Sequence, residues 1–263
     1  MPAKSFRSRP ATRRTWAKCF FVIDSSAAFV CDGKSWQTLK AVCGTVAYDP
    51  RTQFCDTRDN QVYKTAKIGS QTWMAENLNY DPGDVSSMSD DAWSGCYGGE
   101  DDNCAKYGRL FTWEVAMNDA NCNYGNECDR GLSGEVRGVC PEGWHLPAQD
   151  EWDALIDAVG ESDNAGKMLK SASGWEDRGN GTDEYGFSAL PAGHLLTGRI
   201  DFAEGFVADK DFVDEGNITN FWSSDEAGEN SVFVLSLYYK NEKALLVTDF
   251  KLRGYSVRCL KDN

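Results

Sequence analysis

Apolar side chains at Trp152, Leu155, Ile156 and Val159 fall at i, i+3, i+4 and i+7, while Glu151, Asp153 and Asp157 take positions between them. That period predicts an amphipathic helix running to Gly160, a residue free to adopt the left-handed turn past a helix end. Ala148 stands where a Ser or Asp cap would be expected and Glu151 at the third helical position. Only half a capping box is present, so the helix must lean on packing. A second short helix is expected at Asn164–Lys170. Another opens at Thr112, with Trp113, Ala116 and Met117 on its core face.

The rest of the pattern is short and alternating. Val62–Ile68 and Gln71–Ala75 read as a hairpin about Gly69-Ser70, and Val232–Tyr239 and Lys243–Phe250 as a second about Lys240-Asn241-Glu242. Phe187–Leu190 is expected as a strand, and Tyr255–Leu260 as a last one with Tyr255, Val257 and Cys259 on a single face. Ahead of these, Phe29-Val30-Cys31 returns through Asp32-Gly33 to Trp36, and Val46-Ala47-Tyr48 through Asp49-Pro50-Arg51 to Thr52–Cys55, predicting two hairpins.

The cysteines add staples to this outline. Of the ten, Cys19, Cys31, Cys43 and Cys55 recur every twelve residues, and Cys96, Cys104, Cys122 and Cys128 form close pairs. Cys19–Cys31 and Cys43–Cys55 are the preferred pairings, although four cysteines allow three connectivities. Cys140 and Cys259 are left without a local partner. No C-x-x-C occurs and there are two histidines, a poor fit to structural zinc. The expected compartment is oxidising, hence extracellular or cell surface. A signal peptide is not evident: basic residues precede Cys19–Val30, but Asp24, Ser25 and Ser26 interrupt that apolar run.

Charge excludes some partners. The 263-residue chain carries a net −14, yet residues 1–18 hold six basic residues and no acid. The acidic remainder would repel a phosphate backbone, so nucleic acid is not an expected partner, and no apolar run is long enough for a transmembrane segment. The domain division expected is a basic arm at 1–18, a Cys-rich β-hairpin region at 19–56 and a main domain at 57–263.

Candidate chemistry is confined to loops. Asp101, Asp102 and Asp183 lie in oxygen-rich stretches and are the candidate ligands of a calcium ion, which takes six to eight oxygens. The spacing matches no calcium-loop motif, and a solvated acidic loop pinned by Cys96–Cys104 is the plainer reading. Trp93, Tyr97, Trp175, Tyr185 and Trp222 sit in loop-like segments and could stack on sugar rings. His145, beside Trp144, reads as a hydrogen-bonded structural residue. No Gly-x-Ser-x-Gly elbow, phosphate loop or dinucleotide fingerprint is present, and no catalytic residue is expected.

Several blocks occur in order: Trp73–Tyr80, Tyr107–Trp113, Val139–Pro147 with Glu151-Trp152, Gly186–Gly193, Phe221–Ser224 and Ser256–Cys259. Together they resemble the Fibrobacter succinogenes major paralogous domain over roughly residues 56–262. The resemblance implies an exported, often surface-associated module with no settled activity. Trp144-His145-Leu146-Pro147 with Glu151-Trp152 is also similar to a segment of formylglycine-generating enzymes. That likeness implies an α+β, C-type-lectin-like fold with a twisted antiparallel sheet, two main short helices, long disulfide-pinned loops and a disulfide reaching the last strand. The reactive cysteine pair of those enzymes has no counterpart, since only Cys259 lies beyond Cys140. The expected function is a non-catalytic binding or adhesion module for a polysaccharide or an envelope protein. The alternatives are a structural component of the cell envelope and, ranked last, an enzyme of lectin-like fold.

Overall fold

The long periodic helix owes its position to its apolar stripe. In the computed structural model it spans Gln149–Val159, with Trp152, Leu155, Ile156 and Val159 all buried. Ala148 has no side-chain acceptor, so the start is held by the reciprocal half of the box, the Ala148 N–H donating to Glu151 Oε2 at 2.8 Å. Gly160 at φ 119° closes the other end. The structure describes residues 41–128, 134–197 and 210–263 fully, and the strand backbone at 23–24, 27–31, 36–39, 199–201 and 205–207. The basic arm at 1–18 and the Cys19–Cys31 pairing lie outside the described residues.

In chain order, β1 (Ile23–Asp24), β2 (Ala27–Cys31) and β3 (Trp36–Leu39) pair antiparallel. Next come β4 (Ala41–Cys43), β5 (Val46–Tyr48), β6 (Gln53–Asp56), β7 (Gln61–Ile68), β8 (Gln71–Met74) and β9 (Ser94–Gly95). Helix α1 (Asp101–Tyr107), β10 (Leu110–Phe111), α2 (Trp113–Met117), β11 (Trp144–His145), α3 (Gln149–Val159) and α4 (Ser162–Leu169) follow. The chain then runs through β12 (Ala192–Leu196), β13 (Arg199–Asp201), β14 (Gly205–Val207) and β15 (Asp211–Glu215). It ends with β16 (Ile218–Gly228), β17 (Ser231–Tyr238), β18 (Ala244–Phe250), β19 (Tyr255–Ser256) and β20 (Leu260–Lys261). The class is α+β. No helix among the described residues is long and apolar enough to cross a membrane.

Two sheets carry the core. One runs β15-β12-β16-β19-β10-β9, with β17 and β18 added beyond β16; the other runs β11-β20-β8-β7-β6. Helix α3 lies on an aromatic layer in which Trp73 stacks on Trp152 at 4.6 Å, with Phe187 and Phe221 edge-on to each other at 5.9 Å. Such pairs add roughly 0.5–1.5 kcal/mol each beyond their burial.

Four expectations are corrected. Val46–Tyr48 pairs back with Ala41–Cys43 through the Gly44 turn, and Gln53–Asp56 pairs forward with Gln61–Lys64. The turn at Asp49–Arg51 therefore redirects the chain instead of closing a hairpin. Phe187–Leu190 is not a strand; Ala189 makes one isolated bridge to Lys170. Asp101–Tyr107, read as part of a loop region, is helical, with Asp101 and Asp102 in its first turn, where the helix dipole favours carboxylates. Tyr255–Leu260 is not one strand: β19 joins the first sheet, β20 the second, and both faces of the link are buried.

Disulfides Cys43–Cys55, Cys96–Cys104, Cys122–Cys128 and Cys140–Cys259 are formed as expected.

Candidate functional site

The five candidate aromatics do not share one platform. Trp222 is wholly buried in β16, its indole N–H donating to the Phe111 carbonyl at 2.7 Å and its ring 4.6 Å from Tyr255. Trp175 is buried too, donating to Ser171 Oγ and the Ala189 carbonyl, both at 3.1 Å. Both are corrected to core: polar tips satisfied by internal acceptors allow large rings to be enclosed in segments that look like loops. Tyr185 is exposed.

Trp93 and Tyr97 do converge, on Phe212 of β15, at ring distances of 5.8 and 5.2 Å. All three are half-buried, and the Lys210 ammonium stands 5.6 Å from the Trp93 ring centre. Thr112 anchors the base of this cluster, accepting from the Trp93 N–H at 3.0 Å while its own N–H donates back to the Trp93 carbonyl at 2.9 Å. Gly193 makes the approach possible. At φ 64°, a Cβ there would lie 2.8 Å from the Tyr97 ring and 2.5 Å from the Val213 carbonyl oxygen. Phe212 carries little signal in the sequence, because it lies in an acidic run with Asp211, Asp214 and Glu215 and no helical period runs through it.

Beside the cluster is a polar cleft of about 400 Å³, lined among others by Lys64, Glu76, Lys106, Ser173, Asp183 and Ser188. Its floor is Arg258. The guanidinium is buried, with Nε and Nη2 donating to Asn77 Oδ1 at 3.0 and 2.8 Å, Nη1 to the carbonyls of Met74 and Phe187, and Nη2 to that of Ser188. Burial pushes its pKa down, against the attraction of Glu76 and Asp183. Every N–H is engaged, so Arg258 shapes the cleft and does not offer itself to an anion. Asn77 in turn donates to the Tyr107 carbonyl at 2.7 Å and to Ser256 Oγ at 3.1 Å.

Asp183 accepts from the Ser188 N–H at 2.7 Å and from its hydroxyl, stapling its own loop at φ 51°. Asp101, Asp102 and Asp183 do not converge. Among the described residues the one group of three or more ligand atoms within 4.8 Å is Glu135, His145 and Asp262. The calcium expectation therefore finds no common site for its three acids.

Glu215 joins the cleft to the aromatic cluster. Its Oε1 accepts from the Tyr107 hydroxyl at 2.8 Å and lies 3.5 Å from Lys106 Nζ, both residues of the cleft wall. Burial raises the Tyr97 phenol, a hydrogen bond with the Glu215 backbone opposes this, and the Glu215, Asp214 and Asp211 carboxylates add to the rise. The phenol therefore stays protonated at neutral pH.

The histidines are held apart from this surface chemistry. His145 is buried between carboxylates, Nδ1 at 2.8 Å from Asp262 and Nε2 at 3.0 Å from Glu151. Burial opposes its charge, but hydrogen bonds to Glu151 and Asp262 with the nearby Glu135 charge outweigh it and push the pKa up to about 9. His194 is pushed down by burial, 5.5 Å from the Tyr255 ring.

No curated protein and no solved structure matches the chain. Residues 66–261 match the model of the Fibrobacter succinogenes major domain, a span holding α1 to α4, the Trp93–Tyr97–Phe212 cluster and the cleft apart from the wall around Lys64. The chain belongs to the Fibrobacter succinogenes major domain family.

Proposed function

We propose that this chain is an exported, cell-surface binding module of lectin-like fold that takes a polysaccharide along the surface from the cleft to the aromatic cluster. One observation carries the reading: β15 spans both features, its Phe212 packing on Tyr97 in the cluster and its Glu215 meeting Tyr107 and Lys106 of the cleft wall. Sugar hydroxyls need donors and acceptors side by side. Lys64 and Lys106 donate, Glu76 and Glu215 accept, and Ser173 does both, while Trp93, Tyr97 and Phe212 supply apolar ring surface beyond them. The net charge of −14 favours a neutral glycan over a polyanion.

The lectin-like reading is supported by the two longer helices, by sheets that are antiparallel except where β16 runs parallel to β12 and β19, and by the Cys140–Cys259 bridge from ahead of α3 to the last strands. The four disulfides support an oxidising compartment. A calcium chelator should leave binding intact, because Asp183 serves its loop and Asp101 and Asp102 the start of α1.

The test is retention of the full chain on cellulose and xylan, with Trp93→Ala and Lys106→Ala as variants. Both variants should wash off earlier than the parent. Parent retention equal to that of an unrelated acidic protein sinks the proposal. An assembly role has its own support in β18, which pairs on one side only among the described strands and exposes Leu245, Val247 and Phe250. Sedimentation showing a monomer at high concentration would count against it.

A further inference from the structure

We propose that Glu135, His145 and Asp262 form a site for a borderline divalent cation of the zinc class. This lies away from the glycan surface and does not depend on that reading.

Backbone pairing brings the three ligands together from three segments. His145 is on β11, opposite Leu260 of β20, with Lys261 opposite Trp144, and the Asp262 N–H donates to the Gly143 carbonyl at 3.0 Å. Val136 bridges to Leu146, which sets Glu135 at the same end of β11. The ligand atoms all lie within 4.8 Å of one another. Two ligands bound tetrahedrally to one zinc at about 2.0–2.2 Å each are roughly 3.3–3.6 Å apart. Small rotations of two exposed carboxylates would close the difference, and the solvent side leaves room for water as a further ligand.

The surroundings of the imidazole distinguish this from a chance group of acids. Its Nε2 is 3.0 Å from Glu151 Oε1, and Glu151 is itself fixed by the Ala148 N–H at 2.8 Å. A carboxylate on the far nitrogen is the usual means of holding a metal-bound histidine in one tautomer and orientation, leaving Nδ1 for the ion. Nδ1 faces Asp262 at 2.8 Å. On binding, the ion takes the place of the Nδ1 proton, which leaves to water, and carboxylate–metal bonds replace the Asp262 hydrogen bond. One imidazole nitrogen with two carboxylates suits zinc or manganese better than calcium or magnesium, whose sites are built from oxygen alone. The bound ion would tie the C-terminal end and the Glu135 segment to β11 and the start of α3.

The experiment titrates the metal-stripped full chain with zinc chloride at pH 7.5 by calorimetry, with a parallel thermal melt. One saturable equivalent and a raised Tm are expected. Glu135→Gln and Asp262→Asn change exposed side chains, and Glu135→Gln leaves both hydrogen bonds of His145 in place, so it tests the site even if another variant folds poorly. Each should weaken binding at least tenfold, while calcium and magnesium bind at least tenfold more weakly than zinc. Absence of saturable zinc binding, binding unchanged in Glu135→Gln, or calcium binding as tight as zinc would overturn the assignment.

Discussion

The Cys140–Cys259 bridge closes a loop of 119 residues, against 8 for Cys96–Cys104. If constraint of the unfolded chain dominates, the first contributes about 5 kcal/mol and the second about 2.5 kcal/mol at 25 °C. The structure widens that gap. Cys140 and Cys259 are wholly buried in the core beside Trp144 and Val257, so their replacement by alanine also leaves a cavity; Cys96–Cys104 flanks an exposed helix start. For a chain of this size roughly 2–4 °C of Tm accompanies each kcal/mol. The Cys140→Ala/Cys259→Ala double variant should therefore melt about 10–20 °C below the parent, and Cys96→Ala/Cys104→Ala about 5–10 °C below. Calorimetric melts at matched concentration, with the remaining disulfides verified by mass, make the comparison. Equal losses, or a larger loss for the short loop, would refute the idea that the bridge acts by joining distant segments.

Three further outcomes follow from buried polar groups. Trp222→Phe removes the N–H held by the Phe111 carbonyl and should cost about 1–3 kcal/mol in urea unfolding, yet leave glycan retention unchanged. Arg258→Lys leaves several acceptors of the guanidinium unpaired in the core and should cost about 3 kcal/mol or more, read by the same assay. Glu114 is buried on α2, with Ser89 donating to Oε1 at 2.7 Å and Oε2 unpaired among the described residues. Burial raises its pKa, the Ser89 bond opposes that, and Asp91 adds to the rise. A folded value above the unfolded one means its contribution is fully present below the ordinary glutamate range and is lost as pH rises through the raised value. Glu114→Gln should therefore gain stability relative to the parent as pH climbs from 4 to 8; a difference independent of pH would contradict this.

The sequence is most readable where one side of an element is wet. Helix α3 shows this: Trp152, Leu155, Ile156 and Val159 are enclosed while Asp153 and Asp157 are exposed, so burial leaves a period of 3.6. The β17–β18 hairpin and the close cysteine pairs are readable for a similar reason, since their partners are near in the chain. Tyr255–Leu260 fails this condition. The alternation of Tyr255, Val257 and Cys259 suggested one buried face, but the chain crosses there from one sheet to the other and has no wet side. Arg258 at the crossing, a residue type that normally marks solvent, is enclosed because Asn77, 181 residues away, and backbone carbonyls satisfy it. Trp222 and Trp175 misled in the same way, their indole N–H groups being met by carbonyls from other segments. The cleft and the cluster are built from such long-range pairings: Asn77 with Arg258 and Tyr107 with Glu215 in the first, Tyr97 with Phe212 in the second. Each partner alone has an ordinary local pattern, and only their meeting makes a surface. The same crossing that hides Arg258 from a sequence reading also sets the cleft floor, so stability and shape of the site depend on one short segment. A variant that loosens Cys140–Cys259 should therefore weaken glycan retention at temperatures well below its Tm, whereas loosening Cys122–Cys128, which staples a 6-residue loop, should not.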